Sequence, residues 1–137
     1  MSRTPEQIVL DFAALWEARD VEGIVAAVTE DIVYQNCPIP ELVGRAAVRD
    51  FIRPNLEMSS GVEWKLLFIA TTADGKAVLT ERVDSFFFGD RQVAAPLMGI
   101  FELEGELIAR WRDYADIPGF VRDMQAIGRA PGPGITS

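Results

Sequence analysis

A chain of 137 residues with a hydrophobic fraction of 49% and a formal net charge of −8 is long enough for one domain with a sizeable core. The acidic balance argues against a nucleic-acid partner and against an anionic membrane surface, both of which attract basic clusters, and no apolar run approaches the roughly 20 residues of a membrane span. With no histidine and a single cysteine, Cys37, neither a zinc site nor an intrachain disulfide is expected, and the cytoplasm is the default compartment because the N-terminus lacks a signal-peptide pattern.

Thr4 is a favourable N-cap, Pro5 suits the first helical position and Gln7 completes a capping box. Ile8, Phe12, Leu15 and Trp16 then recur at helical spacing, which predicts an amphipathic helix over residues 5–19. Asp20 caps a short second helix carrying Ile24, Ala27 and Val28, and alternation over residues 31–36 predicts a strand. Cys37-Pro38-Ile39-Pro40 reads as a loop, since Pro40 cannot donate to a ladder and restrains Ile39. A third helix is expected from about Arg45, with Val48, Phe51 and Ile52 on one face and Pro54 kinking or ending it. Beyond Gly61, four strand-like runs at 62–71, 76–88, 92–104 and 107–115 are separated by the turn signals Asp74-Gly75, Gly89-Asp90 and Glu104-Gly105. That order is an antiparallel meander. Asp116 caps a last helix carrying Ile117, Phe120, Val121, Met124 and Ile127, and Gly128 stops it.

The expected architecture is therefore α+β. A twisted antiparallel sheet curls around helices laid on one face and leaves a deep internal pocket. One domain over residues 1–128 is expected, followed by a mobile tail over 129–137, where proline and glycine alternate.

Three segments place polar groups inside apolar strand runs: Tyr34-Gln35-Asn36, Glu81-Arg82-Val83-Asp84 and Trp111-Arg112-Asp113-Tyr114. Residues i and i+2 of a strand face the same way. Tyr34 thus shares a face with Asn36, Arg82 and Asp84 share one with Phe86 and Phe88, and Asp113 shares one with Trp111. A buried charge is costly unless it is paired or used. If Arg82 lies between the two aspartates, its single positive charge compensates only one of them, and the second gains by keeping a proton. In a chain without histidine, such a pair is the available acid and base near neutral pH. Tyr34, Asn36 and a basic carboxylate offer three anchors for one water molecule. The set fits the opening of a strained three-membered ether by water, with no metal, cofactor or covalent intermediate. Among the apolar residues, Phe86 and Leu97 are the expected pocket walls, chosen from a wider stripe that includes Met58 and Met98.

The same three segments, with the Gly44-Arg45 helix start after the proline-rich loop and the Gly99-Ile100-Phe101 stretch, resemble the signature of the limonene-1,2-epoxide hydrolases over roughly residues 5–125. The resemblance implies the fold of nuclear transport factor 2, the SnoaL-like proteins and the ketosteroid isomerases, a mixed, mostly antiparallel sheet curved into a cone, and a homodimer. It implies Asp113 as the base that activates water, Tyr34 and Asn36 as the groups that hold that water, Asp84 as the acid toward the epoxide oxygen, and Arg82 as the bridge between the aspartates. The substrates it implies are water and a small apolar epoxide, giving a vicinal diol. The hairpin around Gly89-Asp90 is shorter than in the limonene enzyme, a departure that bears on pocket shape and hence on substrate.

Taken without the resemblance, each residue has a plainer reading. Arg82 and Asp84 fit an ion pair on a solvated strand face, and Asp113 fits an exposed strand end. Tyr34 fits a core tyrosine bonded to the backbone, and Asn36 a turn former ahead of Pro38. Two other functions suit the expected fold: an isomerase or polyketide cyclase whose carboxylate removes a carbon-bound proton, and a non-catalytic binding protein.

Overall fold

Helix α1 (Pro5–Glu17) begins where the capping signals put it, with the Gln7 amide donating to Thr4 Oγ1 at 3.2 Å. The computed structural model describes residues 2–130, 132 and 135. Helix α1 stops two residues short of the expected end, because Arg19 takes a left-handed backbone with φ of 53°. Its side chain donates to the Ser59 carbonyl at 2.6 Å. Asp20 caps α2 (Val21–Ala26) by accepting from the Gly23 amide at 2.9 Å.

Strand β1 (Val28–Cys37) starts three residues before the expected position. Val28, expected on the second helix, instead opens this strand and pairs with Ile108, while the Ala27 carbonyl accepts the Ile108 amide at 3.0 Å. A β-branched residue is better placed in that ladder than in the last turn of a short helix. A two-residue strand, β2 (Leu42–Val43), pairs antiparallel with β1. It is too short to leave a period in the sequence. Helix α3 (Arg45–Glu57) runs through Pro54 instead of ending there. The proline removes one backbone donor, and the helix closes beyond it when the Met58 amide reaches the Pro54 carbonyl at 3.1 Å.

Strands β3 (Gly61–Thr71), β4 (Ala77–Phe88), β5 (Arg91–Glu104) and β6 (Leu107–Ala115) form the expected antiparallel meander. The full sheet has the order β2-β1-β6-β5-β4-β3, with β1 lying parallel to β6. Helix α4 (Ile117–Ala126) follows, capped by Asp116, which accepts the Gly119 amide at 3.0 Å. This is a mixed, mostly antiparallel, curved sheet with helices, the nuclear transport factor 2-like and SnoaL-like architecture. No helix among the described residues is long and apolar enough to cross a membrane.

Two apolar clusters hold the helices to the sheet. The larger is centred on Phe12, whose ring meets Trp111 at 5.2 Å and Trp64 and Phe101 at 6.0 Å each. Val9 and Trp16 of α1 and Val48 and Ile52 of α3 complete it. The smaller joins Met124 of α4 to Phe88 and Val93, with Phe86, Phe120 and Met58 at its margin. The cavity described below lies between them, since its wall draws on Trp16, Trp64 and Trp111 from one and on Phe86, Phe88 and Met58 from the other. Of the tail expected to be mobile, Arg129, Ala130, Gly132 and Ile135 are described; the rest lies outside the described residues.

Candidate active site

Register brings the polar residues together. Thr80 of β4 pairs with Gly99 of β5, Gly99 with Asp113 of β6, and Asp113 with Asn36 of β1, so one row crosses four strands. Two residues back along β1 and β6, Tyr34 pairs with Trp111; in the other direction, four residues beyond Thr80 on β4, Asp84 pairs with Trp64 and Ala95. Because side chains alternate, Thr80, Arg82, Asp84, Phe86 and Phe88 of β4 all face the helices. Arg112 turns the other way, as its phase predicts, and pairs with Glu102.

Arg82 is fully buried, and Asp84 and Asp113 are 6% and 3% exposed, which removes the solvated-face readings of all three. The guanidinium grips Asp84 through two bonds, Nε to Oδ1 at 2.9 Å and Nη2 to Oδ2 at 3.0 Å. Nη2 also donates to Asp113 Oδ2 at 2.9 Å. The second oxygen of Asp113 accepts from the Trp111 indole Nε1 at 2.8 Å. On its remaining side, Arg82 Nη1 donates to Thr80 Oγ1 at 3.0 Å, and Thr80 donates in turn to the Gly99 carbonyl at 3.1 Å. The Trp64 ring stacks over the guanidinium with its centroid 4.0 Å away. The fork of donors is thus spent on two acids and one hydroxyl, under an aromatic roof.

The electrostatics follow from burial. Removal from water pushes Asp84 up to about 6, against the opposing pull of Arg82, and the nearby Asp113 charge adds to the rise. Asp113 is raised for the same leading reason, with Arg82 and the Trp111 indole holding it down only in part. Burial alone would lower the Arg82 pKa, but the two carboxylates outweigh it and the guanidinium stays charged. One cation between two buried acids leaves a surplus negative charge that a single proton removes, so the aspartates titrate as a unit.

Tyr34 is 4% exposed, and its ring stacks on Trp111 at 4.0 Å. Its hydroxyl accepts from Asn36 Nδ2 at 2.9 Å and keeps its own proton to donate. Burial and the neighbouring Asp113 charge push its pKa up, so it remains a phenol. Asp84, Asp113, Tyr34 and Asn36 all open onto one cavity of ≈ 90 Å³, together with Phe86 and Leu97. A cavity of that volume has room for more than a single water, since one needs only about 10–15 Å³ on the same measure. Arg82 does not reach the wall and stands behind the acids. Met58 is on the wall, but Met98 is 48% exposed on the opposite face of the sheet. Cys37 is a free thiol, and no group of three or more metal-ligating side chains converges among the described residues.

Sequence reasoning passed over Thr80 and Trp64 as parts of the site. Thr80 could have been found by extending the face of Arg82 two residues back, but nothing in the sequence indicates that Trp64 crosses the guanidinium. Gly99 marked the resemblance without a physical role. The structure supplies one: a Cβ there would collide with both Arg82 Nη1 and Asp113 Oδ1. Gly99→Ala is expected to force the two apart and lower the unfolding free energy by about 3 kcal/mol or more, because it strands a buried charge. Urea denaturation checks this; a loss below about 1 kcal/mol would show that the pair tolerates separation.

The family model described as the limonene-1,2-epoxide hydrolase catalytic domain matches residues 3–125. Epoxide hydrolase EphG of Mycobacterium tuberculosis (strain ATCC 25618 / H37Rv) is 33% identical over 112 residues, covering 79% of this chain and 73% of its own. The solved structure of an M. tuberculosis LEH-like epoxide hydrolase superposes with a TM-score of 0.71 at 31% identity, covering 89% of this chain and 92% of that one. The epoxide hydrolase/cyclase-like enzyme SalBIII gives a TM-score of 0.74 at 21% identity over 84% of this chain and 92% of its own, a likeness of fold alone. The chain carries the three polar segments on the strands of this fold and belongs to the limonene-1,2-epoxide hydrolase family.

Proposed function

We propose that the protein hydrolyses a small apolar epoxide, such as limonene oxide or a cycloalkene oxide, to a vicinal diol in one step. The observation that carries this is the Asp84–Arg82–Asp113 cluster, buried behind a largely apolar cavity with a phenol and an amide beside one acid. Asn36 and Tyr34 flank Asp113 and its neighbour Trp111 across the β1–β6 ladder, so a water held by them sits beside Asp113, which serves as the base. Asp84 lies on the same strand face as Phe86 and serves as the acid.

In the reaction, Asp113 takes a proton from the held water as its oxygen bonds to one ring carbon. The carbon–oxygen bond of the epoxide breaks, and the ring oxygen takes the Asp84 proton. The cycle leaves Asp113 protonated and Asp84 ionised, and the proton returns to Asp84 before the next turnover. Arg82, bonded to both, keeps its charge throughout and compensates whichever carboxylate is ionised. An isomerase on this fold would leave the Tyr34–Asn36 pair and the bridging arginine without a task.

We also propose that the protein acts as a homodimer. On the sheet face opposite the helices, Phe68, Met98 and Tyr114 are 73%, 48% and 53% exposed in a row that Glu81 of β4 interrupts, a largely apolar strip suited to a second copy. Light scattering is expected to give twice the chain mass of 15.1 kDa, and a monomer at micromolar concentration would contradict it.

The chemistry is tested by single-turnover incubation with limonene oxide or cyclohexene oxide in ¹⁸O-labelled water. Labelled diol on the first turnover is expected. Unlabelled diol would instead mean an ester formed on an aspartate. Asp84→Asn and Asp113→Asn should each lower kcat by about 10³-fold or more, with circular dichroism unchanged; wild-type turnover in either refutes that residue's role.

A further inference from the structure

Beyond the family-matched region, Arg129 and Gly132 contact residues of the cavity wall, and Ile135 lines the cavity itself. The match ends at residue 125, yet the Arg129 guanidinium stands over the ring of Phe88 with its carbon 5.1 Å from the centroid. Phe88 lies on the cavity wall, four residues beyond Asp84 on β4, which is about 13 Å farther along the strand. The Arg129 amide also donates to the Met124 carbonyl at 2.9 Å, so the chain leaves α4 in a fixed direction. Gly132 is buried against Asn55, another residue of the wall, and a Cβ there would overlap the Asn55 side-chain amide. The Ile135 amide donates to the Gly132 carbonyl at 3.2 Å, and Ile135 itself lines the cavity.

We infer that Ile135 is a specificity-determining residue, an apolar wall supplied from outside the family core that limits how large an epoxide the cavity takes. The proposal rests on the epoxide hydrolase reading and deepens it. The argument is one of geometry. Asp84, Asp113, Tyr34 and Asn36 are set by ladder register, which no change at residue 135 alters. Ile135 touches the cavity without belonging to any strand or helix, so it changes the shape of the apolar end while leaving the acids in place. Gly132 is the position that permits this, because any side chain there displaces the segment from Asn55. A wall of this kind discriminates by size: one methylene in a hydrophobic pocket changes selectivity about 10- to 200-fold, and Ile135→Ala removes three carbons.

The test compares kcat/KM for cyclopentene oxide and for limonene oxide in the wild type, Ile135→Ala, Ile135→Trp and Gly132→Val. Ile135→Ala and Gly132→Val should move the ratio toward the larger epoxide by about tenfold or more, and Ile135→Trp should move it the other way, with unfolding midpoints close to wild type. Ratios within about twofold of wild type in all three variants would overturn the assignment. The three tryptophans of the chain, Trp16, Trp64 and Trp111, all line the cavity, so their fluorescence reports occupancy without any reaction. Titration with cyclopentanol and 1-adamantanol should give the same tenfold shift in the ratio of Kd values. If no epoxide is hydrolysed but the Kd ratio shifts, the wall stands and the hydrolase reading falls. If the Kd ratio does not shift, the wall assignment falls whatever the enzyme does.

Discussion

One guanidinium set between two carboxylates, shielded from bulk solvent, is the constraint around which the rest of this structure is organised. Arg82 cannot lose its charge, and neither acid can be fully ionised beside the other at low cost. Each surrounding feature answers that arrangement. Thr80 takes one of the two donors that the acids do not use, Trp64 covers the guanidinium face, and Trp111 supplies Asp113 with a second donor. Gly99 leaves the space in which Arg82 and Asp113 meet. A buried ion pair is rarely a source of stability, so a cluster this complete points to use.

The cost has a sign. An ordinary aspartate titrates near 4, whereas burial pushes Asp84, the acid of the coupled pair, up to about 6. Between those values the folded state holds a proton that the unfolded chain has released. Its contribution to stability therefore falls as pH rises from about 4 to about 6 and stays lost above that, an effect of roughly 3 kcal/mol. Asp113, raised by the same burial, acts in the same direction. The protein keeps this arrangement at the expense of folding, and the packing of Phe12 against three aromatic rings is among the interactions that offset it.

Much of this was legible because strands report their faces. The spacing of Arg82, Asp84, Phe86 and Phe88 and of Trp111 and Asp113 places each set on one side, and the turn signals fix the meander that joins them. The pairing of β1 with β6 was not legible. It is parallel and spans most of the chain, and no local pattern announces which strand a lone N-terminal strand will join. Yet that pairing puts Tyr34 and Asn36 beside Asp113. Strand β2 was missed because two residues carry no period, while the sequence left open whether Pro54 kinks or ends α3; a proline near a helix end forfeits only one bond, and the helix continues past it. The role of Trp64 depends on where its ring crosses Arg82, and that of Gly132 on what faces it from α3. Both are properties of the assembled core.

The central claim is that the pair of acids holds one proton at a pH where ordinary aspartates hold none. Infrared titration of protein carrying ¹³C-labelled aspartate observes that proton directly, through the carbonyl stretch of a protonated carboxyl group. The account predicts a band that persists to about pH 6 or above, as the raised Asp84 requires, and that disappears in the Asp84→Asn, Asp113→Asn double variant. Loss of every protonated-carboxyl band by about pH 5, the range of unperturbed aspartates, would contradict it.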